Sequence, residues 1–132
     1  MAKRPPLSKA ELEVARVLWR LGEATVRQIH AAVCQERPLD FTTVQTYVRR
    51  LAAKGYLRTR RAGRAIVYKP RVPAGVVVRE TVEDLLKRLF DGQALPMFRH
   101  LILDRGLSNE EIEQLRKLLD QWEGQLNEPP AR

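Results

Sequence analysis

The sequence is poor in the residues that carry most site chemistry. Its 132 residues include one cysteine, Cys34, and two histidines, His30 and His100. A lone cysteine excludes an internal disulfide and a thiolate-rich metal centre. The two histidines fall on separate segments without metal-ligand spacing, so neither metal nor cofactor is expected. His30 and Cys34 are four residues apart, which permits a thiol–imidazole pair on one helix. No oxyanion-hole motif or Gly-rich phosphate loop accompanies them, and the inventory excludes an enzyme. A redox role for Cys34, through an intermolecular disulfide, is the remaining use of the thiol. No apolar run approaches the roughly 18 residues of a membrane helix. The opening Met-Ala-Lys-Arg-Pro-Pro has no apolar stretch behind it to form a secretory signal. A cytoplasmic chain without membrane insertion is expected.

The most informative absence is acid. No Asp or Glu occurs between residues 41 and 79, a stretch of 39 residues. Residues 1–73 carry 16 Lys+Arg against 5 Asp+Glu, a net of +11, whereas residues 74–132 carry 8 against 11, a net of −3. An Arg-rich composition explains 18 Arg against 6 Lys but not the missing acids. A half so basic points to a polyanionic partner, most often nucleic acid.

What is present is helical periodicity with start signals. Ser8-Lys9-Ala10-Glu11 has capping-box spacing, followed by Leu12, Ala15, Leu18 and Trp19 on one face and Gly22 as a stop. Thr25-Val26-Arg27-Gln28 repeats the pattern ahead of Val26, Ile29 and Val33, and Pro38 closes that helix. Asp40 is the expected cap of a third helix with Val44, Tyr47, Val48 and Leu51 inward and Gly55 at its exit. The period then changes. Residues 56–61 and 65–69 read as two strands around Ala62-Gly63-Arg64, a basic hairpin. Three helices and a hairpin make a winged helix-turn-helix.

Pro70, Pro73 and Gly75 mark a boundary, giving a winged-helix DNA-binding domain over residues 1–73 and a helical dimerisation domain over residues 74–132. The predicted fold is mostly α with a small β-hairpin. In the second domain Val78, Val82, Leu85, Leu86 and Leu89 mark one helix. Leu95, Phe98, Leu101 and Ile102 mark another, around residues 94–104. Ser108-Asn109-Glu110-Glu111 caps the last, where Ile112, Leu115, Leu119, Trp122 and Leu126 step by 3, 4, 3 and 4. The Pro-containing tail at 127–132 is expected to fray. About 59 residues in three helices offer little interior for both stripes, so a second copy is expected to cover them. The residues assigned to that dimer are Val82, Leu85, Leu89, Phe98, Leu101, Leu115, Leu119 and Trp122.

With Val44, Val48 and Leu51 inward, Thr42, Thr43, Gln45, Thr46, Arg49 and Arg50 point outward or to the flanks of the third helix. Threonines near a helix start bond phosphates or present a methyl to thymine. Gln45 is the expected base reader, through bidentate pairing with adenine, and Arg50 pairs with guanine or clamps phosphate. In the hairpin, Arg58, Arg60, Arg61, Arg64 and Lys69 are sequence-blind phosphate candidates. Alternation sets Arg58 and Arg60 on one face and Arg61 on the other, so not all of them reach DNA together. Arg60, Arg61 and Arg64 are the assigned contacts.

These residues resemble a known family. Leu7-Ser8-x-x-Glu11-x-Glu13-Val14 with Leu18-Trp19 is similar to the opening of the penicillinase-repressor family (BlaI/MecI type, with copper-responsive relatives). Thr43-Val44-x-Thr46, Arg50-Leu51-x-x-Lys54-Gly55-Tyr56, Tyr68 and Pro70 resemble its recognition helix and wing. Leu107-Ser108-x-Glu110-Glu111-Ile112-Glu113-x-Leu115 resembles its final helix. The resemblance spans roughly residues 7–122. It implies a homodimeric transcriptional repressor on palindromic double-stranded operator DNA, controlling β-lactam-resistance or stress genes. It also implies a membrane sensor-protease as partner, cutting an Asn-Phe bond whose counterpart here is His100-Leu101. Some members carry Lys at Thr42 and Arg at Gln45, so the operator sequence does not carry over. The cysteine cluster of the copper-responsive branch is absent. The alternatives from other classes are a winged-helix protein-interaction module docking an acidic partner and a small-ligand-responsive regulator without the family's proteolytic induction.

Overall fold

The computed structural model describes residues 4–126. Reciprocal capping boxes start two helices at the positions expected. Ser8 and Glu11 bond each other's backbone N–H ahead of α1 (Lys9–Leu21), and Thr25 and Gln28 do so ahead of α2 (Val26–Glu36). Gly22 ends α1 with φ 86°, a conformation that favours glycine. Asp40 occupies the N-cap position of α3 (Phe41–Ala53), but its carboxylate makes no capping hydrogen bond. The hairpin consists of β2 (Leu57–Ala62) and β3 (Ala65–Pro70), turning at Gly63 with φ 64°. The sequence pattern missed a third strand, β1 (Ala24–Thr25), which pairs antiparallel with β3 through Ala24↔Tyr68 and Thr25↔Val67. Two residues show no alternation, so nothing local distinguishes them from a loop. The sheet order is β1-β3-β2.

The core joins α1, α2, α3 and the sheet. Val14, Val17, Leu18, Ile29, Val44, Val48 and Leu51 are its fully buried large side chains. On α1 the buried face is Val14, Ala15, Val17 and Leu18, while Leu12 and Trp19 lie at its margin. Trp19 is half-buried, and its indole Nε1–H donates to the Val72 carbonyl at 3.0 Å. An indole keeps its donor partnered in this way while burying its ring.

Glu11 is the one charged residue in this interior among the described residues. Its carboxylate receives the ammonium of Lys54 and the N–H of Ser8. Burial pushes the carboxyl up, but the hydrogen bonds from Lys54 and Ser8, together with the Lys54 charge, outweigh it. Glu11 is therefore held below its ordinary value of 4.5.

The chain divides into two units between Thr81 and Val82, inside α4 (Ala74–Phe90). The shift in composition at residues 70–75 coincides with the end of β3 and the start of α4. The first two turns of α4 belong with the winged helix because Val77, 6% exposed, packs into its core. The second unit continues through α5 (Ala94–Arg99) and α6 (Asn109–Leu126). Between them residues His100–Arg105 wind as a π-helix, where periodicity predicts α-helix, and the Gly106 N–H reaches back five residues to the Leu101 carbonyl. Ser108 and Glu111 form the third capping box, with the Ser108 N–H and hydroxyl holding the Glu111 carboxyl below its ordinary range. The tail at 127–132 lies outside the described residues. No helix among the described residues is long and apolar enough to cross a membrane.

Candidate nucleic-acid interface

Helix α3 turns its buried stripe to the core and its polar residues away from it. Thr42, Thr46, Arg49 and Arg50 are exposed, and Thr43 and Gln45 are half-buried at the flanks. Asp40 makes no side-chain capping bond, so its carboxylate does not occupy the first N–H groups of α3. The Thr46 hydroxyl donates to the Thr42 carbonyl at 2.9 Å, which commits its proton and leaves its lone pairs and methyl outward. The Arg50 guanidinium lies 5.9 Å from the Tyr47 ring centroid, a stacking that steadies an otherwise exposed side chain. Tyr47, which the pattern assigns to the buried stripe, is thus half in the core and half a platform.

The strand register sorts the wing. Arg58↔Lys69 and Arg60↔Val67 share one face, while Thr59↔Tyr68 and Arg61↔Ile66 share the other. Leu57 and Tyr68 are buried, so Arg61 and Ile66 project on the core side of the sheet beyond the body. Arg60 lies on the outer face and is paired with Glu23 at 2.8 Å. Arg64 follows Gly63 at the tip. Ile66, 44% exposed beside Arg61, was not singled out in the sequence. The alternation that places Arg61 also places it.

Ion pairing divides the basic residues of the winged helix. Arg4, Arg20, Arg37, Lys54 and Arg60 each have a carboxylate partner. Among the described residues Arg49, Arg50, Arg58, Arg61, Arg64 and Lys69 have none, and neither do Lys9, Arg16, Arg27, Arg71 and Arg79. The reason is local sequence: residues 41–79 hold no acid, and outside acids reach this stretch at Lys54 and Arg60. Six unpaired cations therefore share the outer side of α3 and the wing with no acid between them in the chain, the footprint of a surface for a polyanion.

His30 and Cys34 do meet, with Sγ 3.3 Å from Nε2, but both also point to the Leu39 carbonyl, at 3.4 Å and 2.8 Å. They hold the turn between α2 and α3, and no third catalytic group joins them. No group of metal-binding side chains occurs among the described residues.

In the second unit Leu86 is the one buried hydrophobic side chain among the described residues. Val82, Leu85, Leu89, Phe98, Leu119 and Trp122 are exposed, and Leu101 and Leu115 are half-buried. The expected dimer residues thus form apolar stripes that their own unit does not cover.

The penicillinase repressor family profile matches residues 7–121. The chain belongs to the penicillinase repressor family. It is 28% identical over 128 residues to the penicillinase repressor of Bacillus licheniformis, covering 97% of this chain and 100% of that one. It is 35% identical over 134 residues to the transcriptional regulator BlaI of Mycobacterium tuberculosis, covering 99% and 96%. The solution structure of the DNA-binding domain of the repressor BlaI superposes with a TM-score of 0.51 at 32% identity. That match covers 56% of this chain and 90% of that domain. As a penicillinase repressor family member, the protein is a DNA-binding transcriptional regulator and not an enzyme.

Proposed function

We propose that the protein represses transcription in the cytoplasm as a homodimer bound to an inverted-repeat operator. The single observation that carries this reading is the set of six unpaired cations that α3 and the wing share within an acid-free stretch of the chain. Gln45 and Arg50 read bases, and Thr42, Thr43, Thr46 and Arg49 hold phosphates and thymine methyls around them. Arg61 and Arg64 lie along the backbone, and Arg60 joins them on exchanging Glu23 for phosphate. The uncovered stripes of α4, α5 and α6 support the dimer, which places two copies of α3 in successive major grooves. Inactivation by a sensor-protease cut at His100-Leu101 completes the reading. Cleavage there requires the π-helical turn at His100–Arg105 to unwind first, because His100 is exposed but Leu101 is half-buried.

Selection of bound duplexes from genomic DNA at two salt concentrations tests the proposal. An inverted repeat with half-sites about one helical turn apart is the expected product. Recovery of DNA without sequence preference, lost as salt rises, would leave only a basic surface. On the selected operator, Arg50→Ala is expected to cost about 1–3 kcal/mol of discrimination at one base position. Arg64→Ala should weaken binding to all sequences alike and lower the salt slope by about 1. Identical behaviour of the two variants on operator and random DNA removes the division of roles.

A further inference from the structure

A strap ahead of α1 ties the end of α3 to the start of α4. The Arg4 guanidinium donates to both carboxylate oxygens of Glu80, at 2.9 and 3.0 Å, across 76 residues of sequence. The same guanidinium lies 5.5 Å from the centroid of the Tyr56 ring, just beyond the end of α3. The Tyr56 hydroxyl donates to the Pro5 carbonyl at 2.8 Å, and the Lys54 ammonium donates to the Pro6 carbonyl at 2.9 Å. Two consecutive prolines restrict the backbone between these anchors, so the strap is stiff before it is tied. Glu80 is the first acid after the acid-free stretch, and it is spent on Arg4.

We infer that Arg4 and Glu80 are positioning residues for operator recognition, pinning the first two turns of α4 to the winged helix so that half-site spacing is read strictly. The inference rests on the dimeric reading above. Because α4 leads from the winged helix into the second unit, slack at its start becomes slack in the distance between two recognition helices. Arg4 itself leaves DNA alone, although a basic residue ahead of the first helix invites the opposite reading, a minor-groove arm. Its charge is satisfied by Glu80 and its face by Tyr56.

Arg4→Ala and Glu80→Gln test this in the full chain. Both variants should bind a single half-site like the wild type, with an unchanged salt slope. Both should bind the intact operator about threefold to tenfold more weakly, the scale of one exposed ion pair lost in each of two protomers. On operators with one base pair inserted between half-sites, their relative loss should be smaller than that of the wild type. The exchanged pair, Arg4→Glu with Glu80→Arg, should restore the spacing preference. Hydrogen exchange at the amides of residues 77–81 supplies a readout without DNA and should quicken about threefold in the single variants. A fall in half-site affinity with a shallower salt slope would make Arg4 a DNA contact and overturn the inference, as would unchanged exchange in α4. A wild-type protein that is monomeric, or indifferent to spacing, would refute the dimeric reading instead, while the exchange measurement still decides the strap.

Discussion

Trp122→Glu is expected to lower affinity for an intact inverted repeat by about 10²-fold or more while leaving half-site affinity unchanged. Trp122 lies on α6, 58% exposed, on the stripe that includes Leu115 and Leu119. Trp122 is not part of a buried core in one chain, so the protomer is expected to fold. In the proposed dimer the same position is buried, and an unpaired carboxylate there costs several kcal/mol. Two linked half-site contacts exceed one by about 10²–10⁴ through effective concentration alone, and that factor disappears with the dimer. Sedimentation equilibrium beside titrations of whole and half operators checks the expectation. A Trp122→Glu protein that remains dimeric and holds the whole operator at wild-type strength would place the interface elsewhere.

The second large effect lies inside the winged helix. Lys54→Met is expected to destabilise the protein by about 3 kcal/mol at neutral pH, because it leaves the buried Glu11 carboxylate without its counter-ion. Ser8 still bonds that carboxylate, which keeps the cost at the lower end of the range for broken buried pairs. The pH dependence has a definite sign. The folded state of the wild type holds Glu11 below its ordinary value of 4.5, so its contribution to stability is present above that value and is lost as pH falls through the folded-state value. In Lys54→Met burial is opposed only by Ser8, and protonation relieves the stranded charge. The gap between the two proteins should therefore narrow in urea denaturation at about pH 4. Equal destabilisation at both pH values, or a cost under about 1 kcal/mol, would show that Lys54 does not stabilise the charge.

Much of the recognition surface was legible from residue types and spacing. Helix α3 shows Val44, Val48 and Leu51 at helical intervals, and the intervening Thr42, Gln45, Thr46, Arg49 and Arg50 follow from geometry alone. The wing was legible because two runs of alternating residues flank Gly63. Pairing was not. Alternation sets Arg60 and Arg61 on opposite faces but does not show that Glu23 neutralises Arg60, a pairing that depends on β1 bringing the residue ahead of it to the sheet. Lys54 and Arg4 counted toward the basic half in the same way as Arg50, although both are occupied within the protein. The π-helical winding at His100–Arg105 was hidden for another reason: the apolar spacing there fits an ordinary helix, and the difference lies in which carbonyl the Gly106 N–H selects.

By itself the sequence determined the main helices and the hairpin, the three capping boxes, the basic and acid-free character of residues 41–79 and the scarcity of catalytic and metal-binding residue types. These depend on periodicity, composition and neighbours within about four residues, all of which are local quantities. Only the tertiary structure decided which cations are free for a polyanion, that Glu11 and Lys54 form a buried pair, that β1 completes the sheet, and that Arg4 reaches Glu80. Each of these joins residues tens of positions apart, and such partners are chosen by how the helices and sheet pack around one core rather than by the chain beside them.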